Sequence, residues 1–156
     1  MSKMYIFLLL LLIVPFFGTA QKKKGTFAPI SLDQLRDSMT IHPKPILLRI
    51  TTDWCVYCKL QDAQLAKDDS IEKLLRSYFY FTELDAESKE PVFFNGITYN
   101  YQSTNRVHEL AEKLGSENGQ IAYPVMIVLD RNYNLLYRNQ GMLTAKVLYQ
   151  LLKIFR

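Results

Sequence analysis

The 156 residues include 49% apolar and 22% charged side chains and carry a formal charge of +4. That length buries a core without disulfide staples, and that composition excludes a disordered chain. Basic residues are scattered apart from Lys22–Lys24, so there is no basic stripe and no nucleic-acid partner is expected.

The N-terminus reads as an export signal. Lys3 precedes an apolar run, Tyr5–Phe17, and Gly18–Ala20 supply small residues before Gln21. The run is about 13 residues against the roughly 20 that a spanning helix needs, so cleavage is expected rather than stable membrane insertion. No cysteine lies near the cut to carry a lipid. The expected organisation is a signal peptide at 1–20, a solvated leader at 21–30 and a folded domain at 31–156, in a periplasmic protein.

Ser31 and Gln34 have capping-box spacing, and Leu32, Leu35 and Met39 share one side of the helix that follows. His42 lies in a turn between helix and strand, where Pro43 and Pro45 forbid helix. Ile46–Ile50 is short and mostly apolar, as a buried strand is. The next helix carries Cys55 and Cys58, with Leu60 and Ala63 or Gln64 one turn apart. Ile71, Leu74, Leu75 and Tyr78 mark the buried side of another helix, and Tyr78–Ala86 alternates as a strand.

Asn95-Gly96 between two β-rich runs predicts a hairpin at Pro91–Tyr101, an insertion rather than part of the core. Thr104–Gly115 reads as one helix, with Val107, Leu110, Ala111 and Leu114 on one face and His108 as a partly buried packing residue. Val125–Leu129 and Leu135–Arg138 are two strands behind Pro124. Val147, Leu148, Leu151, Leu152 and Phe155 mark a final amphipathic helix. Strands alternating with helices and ending in a hairpin predict an α/β fold, a central mixed sheet flanked by helices.

Cys55 and Cys58 are the whole cysteine complement, so the one possible intramolecular bridge closes a very short loop and constrains the unfolded chain little. Haem attachment needs CxxCH, but residue 59 is Lys. Structural zinc needs four ligands, and only His42 and His108 remain, so no metal site is expected. Inert packing stays open as an alternative. Cys55 lies where a strand gives way to a helix, where unpaired N–H groups favour an anion. A thiolate there has its pKa lowered from about 8.5 toward 7 or below. Cys58, one turn on, is placed to resolve a mixed disulfide.

Trp54, Cys55, Cys58 and Lys59 after an apolar strand resemble the thioredoxin active-site motif WCxxCK, and the Tyr123–Pro124–Val125 step before a hairpin resembles the family's proline loop. The stretch 52–59 is similar to the C-terminal domain of the bacterial transmembrane thiol:disulfide interchange reductase, and other segments resemble exported thioredoxin-like proteins of Bacteroidetes-type bacteria. The resemblance implies a thioredoxin fold over roughly Ser31–Phe155, with Cys55 attacking and Cys58 resolving. It implies a cis Pro124, Tyr123 backbone pairing with a substrate strand, and Trp54 shielding the disulfide. Two departures stand out. Arg49 replaces the buried Asp six residues before the first cysteine, and is expected to pair with Asp85 or Glu83; Val56-Tyr57 replaces Gly-Pro.

The expected function is thiol-disulfide exchange with protein substrates by a monomer, as reductant, fed by an unidentified electron donor and needing no cofactor. Tyr57 is expected to touch the partner. The competing expectation is a thioredoxin-fold module that holds a client or metal without turnover.

Overall fold

The structure, a computed structural model, describes residues 28–156, so the signal peptide and most of the leader lie outside the described residues. The elements run α1 (Leu32–Ile41), β1 (Ile46–Thr51), α2 (Val56–Leu65), α3 (Asp69–Tyr78), β2 (Tyr80–Asp85), β3 (Val92–Phe94), β4 (Ile97–Tyr99), β5 (Tyr101–Gln102), β6 (Val107–His108), α4 (Glu109–Gly115), β7 (Val125–Leu129), β8 (Leu135–Gln140) and α5 (Ala145–Phe155). Among the described residues no helix is long and apolar enough to cross a membrane.

The central sheet has the order β2-β1-β7-β8. β1 runs parallel to β2 and antiparallel to β7, which is antiparallel to β8. Both faces of β1 are covered, so its residues alternate between two cores. Ile46, Leu48 and Ile50 join Leu35, Met39, Leu84, Leu110, Val125 and Ile127 on one side. Leu47 joins Ile71, Leu75, Phe81, Met126, Leu148 and Leu152 on the other. Each such fully buried side chain contributes about 1.5–3 kcal/mol by leaving water. Arg49 shares the face of Leu47, its guanidinium 5.6 Å from the centre of the Phe81 ring.

Local chemistry sets the helix starts. Ser31 and Gln34 form the full capping box of α1, Asp68 caps α3 through the N–H groups of Ser70 and Ile71, and Thr144 caps α5. Asn95 (φ 47°) and Gly96 (φ 79°) make the turn between β3 and β4.

Several expectations need correcting. The hairpin insertion is part of the core, because Phe94 and Tyr99 are buried against α1 and β1 residues. The stretch before Glu109 is not helical. Arg106 takes a left-handed φ of 55°, and Val107–His108 pair with Tyr101–Gln102. His108 is therefore the N-cap of a shorter α4 and is fully buried. On α2 the buried residues are Cys58 and Gln61; Leu60 and Ala63 face solvent. Tyr78 and Val147 are also exposed, at the edges of helix faces whose centres are buried.

Candidate active site

Cys55 is the N-cap of α2, and its Sγ accepts the Cys58 N–H at 3.1 Å. A helix that starts on a cysteine aims its unpaired N–H groups at sulfur. The two cysteines form a disulfide, with Cα atoms 5.3 Å apart. Both are nearly covered, Cys55 at 4% exposure and Cys58 at 2%. Both sulfurs therefore lie in the buried part of the site. Trp54 and Tyr57 stand out beside them at 62% and 63%.

β7 brings the second half of the site. Val125 is the register partner of Ile50, so Tyr123 and Pro124 lie at the same end of the sheet as the disulfide. The Tyr123–Pro124 peptide bond is cis. The loop is held on one side only: Gly141 N–H donates to the carbonyls of Ala122 at 3.0 Å and Pro124 at 2.8 Å. Among the described residues, the backbone N–H and carbonyl of Tyr123 have no partner. The Trp54 and Tyr123 rings meet edge to face at 5.9 Å, and Trp54 Nε1 donates to Glu87 Oε1 at 3.0 Å. Burial pushes the Tyr123 hydroxyl above its ordinary pKa, and the carboxylates of Glu87 and Asp85 add to the shift.

A family model described as a thioredoxin-like domain matches residues 33–156. The chain belongs to the thioredoxin-like family. Solved structures with the same fold include the C-terminal domain of DsbD from Neisseria meningitidis, at 16% identity and TM-score 0.52, covering 81% of this chain and 100% of that one. A disulphide isomerase from Xylella fastidiosa Temecula1 aligns at 18% identity and TM-score 0.54, covering 80% and 90%. A thioredoxin from Thermus thermophilus aligns at 13% and 0.58, covering 83% and 86%. A comparison with curated protein sequences finds no match. This thioredoxin-like chain thus carries a CxxC active-site disulfide, consistent with a thiol:disulfide oxidoreductase.

Within this thioredoxin-like frame the Arg49 departure has a structural answer. Its guanidinium is bonded to Glu83, its register partner on β2, and to Asp62 of α2. Arg49 Nε also reaches Glu83 at 2.9 Å. Of the two acids expected, Glu83 is the partner and Asp85 is not. Asp62 was not foreseen, although it lies four residues after Cys58 and so on the same side of the helix.

Two further side chains clamp α2. Gln61 Oε1 accepts the Leu143 N–H at 2.9 Å, and Gln64 Nε2 donates to the Leu143 carbonyl at 2.7 Å. The motif helix is thus tied to the sheet by an ion pair and to the loop before α5 by both backbone groups of Leu143. Among the described residues, no group of three or more His, Cys, Asp or Glu side chains is arranged to hold a metal.

Proposed function

We propose that this protein exchanges the Cys55–Cys58 dithiol with disulfides of protein substrates, in the reducing direction and outside the cytoplasm. In that step the Cys55 thiolate attacks a substrate sulfur, forming a mixed disulfide and expelling the other substrate sulfur as a thiolate. Cys58 then attacks Cys55 and expels the second. The substrate gains two electrons and the protein becomes the disulfide. An unidentified donor returns the electrons.

The observation that carries the reading is the cysteine N-cap of α2, at the sheet end where the Tyr123 N–H and carbonyl stand unpaired. Those groups suit an extended substrate strand, which adds to a free backbone edge while its cysteine meets Cys55. Trp54 and Tyr57 supply exposed aromatic surface for the same partner. Pro124 offers no N–H to compete for the strand. Location outside the cytoplasm rests on the apolar N-terminal sequence.

The near-burial of both sulfurs favours one other reading, a module that holds clients without turnover. Insulin reduction by dithiothreitol separates the two. The wild type is expected to accelerate precipitation, and Cys55→Ser to fall to the uncatalysed rate. Equal rates for the two proteins end the exchange reading.

A further inference from the structure

A cavity of about 340 Å³ opens beside Tyr123, between the end of α4 and the loop leading to β7. Glu112, Ser116, Gly119 and Ile121 line it, and Glu112 is the one charged side chain among the lining residues. The Glu112 carboxylate has no hydrogen bond or ion pair among the described residues. Lys113 bonds the Tyr99 hydroxyl at 2.9 Å, Arg138 faces Glu117 at 3.8 Å, and Arg106 is exposed and outside the lining.

A tight turn borders the cavity at Gly119. Asn118 and Gly119 take φ values of 53° and 77°, and Glu117 and Gln120 bridge across it. Tyr123 also lines it, and its unpaired backbone is the docking edge in the exchange reading. At the Tyr123 hydroxyl itself, burial first and then the carboxylates of Glu87 and Asp85 hold the pKa above its ordinary value.

We propose that this cavity is a subsite for a cationic side chain, lysine or arginine, carried by the substrate within two residues of its reacting cysteine. The inference rests on the exchange reading and gives it a substrate class: disulfides with basic flanks. A strand laid on Tyr123 advances about 3.3 Å per residue and alternates its side chains. A residue one or two positions from the reacting cysteine therefore lies alongside the Tyr123 wall. Glu112 is then the unpaired anion that a guanidinium or ammonium satisfies, and a carboxylate brought to the same place is repelled.

The test uses the whole protein, reduced with dithiothreitol and freed of it. Symmetric peptide disulfides carry Arg, Gln or Glu at the two positions on either side of cysteine. Single-turnover release of peptide thiol is measured and divided by the rate of each peptide with dithiothreitol, which removes the flank's own effect on the sulfur. The wild type is expected to favour the Arg over the Gln peptide by about threefold, the scale of a partly exposed ion pair. Glu112→Gln brings that ratio to about one. Glu112→Lys inverts the order in favour of the Glu peptide. Equal normalised rates in the wild type, or a preference that survives Glu112→Gln, overturn the subsite. Failure to reduce any peptide, with both thiols shown to be free, sinks the exchange reading itself.

Discussion

Arg49 and Glu83 face each other across the parallel β1–β2 pair, and the same guanidinium holds Asp62 on the helix that carries Cys58. Arg49 is buried, Glu83 partly so, and Asp62 about half exposed. Removing the cation strands a partly buried carboxylate, whereas removing one acid leaves the cation another partner. Arg49→Met is therefore expected to cost about 3 kcal/mol, the lower end for breaking a buried pair. Asp62→Asn is expected to cost about 1 kcal/mol. Urea denaturation of the two variants checks the order; an Asp62→Asn loss as large as the Arg49→Met loss would refute it.

In the reduced protein, Cys55 is expected to react with iodoacetamide at pH 7 about tenfold faster than Cys58. It receives the Cys58 N–H at the helix mouth, which favours its thiolate. Peptide mapping after brief labelling measures the ratio. Equal labelling would assign the attacking role to neither sulfur.

His108 gives the fold a pH dependence. Its Nδ1 accepts the Leu110 N–H at 3.2 Å and its Nε2 lies 3.2 Å from the Glu90 carbonyl, so the neutral ring with hydrogen on Nε2 fits both contacts. Burial lowers its pKa from 6.5, against smaller opposing effects of the Glu90 carbonyl and Glu109. The unfolded chain therefore takes up the proton first as pH falls. This stabilisation is complete above 6.5 and is lost as pH falls from there through the lowered folded value. His108→Asn, which retains a capping side chain without an imidazole, is expected to flatten stability between pH 7.5 and 5. Guanidinium melts across that range measure it, and an unchanged slope would exclude His108 as the cause.

Gly96→Ala is expected to destabilise by about 1 kcal/mol, the cost of a Cβ in left-handed backbone. A Cβ at that position meets nothing within 4 Å, so only the backbone conformation is being tested. Thermal melts of the variant give the number, and a neutral result would mean the turn tolerates a side chain.

What the sequence made legible was local. The Ser31–Gln34 box, the Asn95-Gly96 turn and the cysteine pair each act within four residues, and each is found where the pattern puts it. His108 was misread because Val107, Leu110, Ala111 and Leu114 keep helical spacing even though the first of them lies in a strand. Leu60 faces solvent and Gln61 is buried in its stead, because Gln61 holds the Leu143 N–H, a partner 82 positions away. Asp62 as an Arg49 partner, Glu87 on Trp54 and the Glu112 cavity all depend on how elements meet in space. No periodicity in the chain announces such meetings.

A strand with apolar residues on both sides has little to stop it sliding by one position against its neighbours. Arg49 supplies the stop. Shifted by one residue, β1 would thrust a guanidinium among Leu84, Val125 and Ile127 and leave Asp62 and Glu83 facing an isoleucine or a leucine. The cation is thus a key that fits one alignment of the sheet, and that alignment sets where the strand hands over to the cysteines.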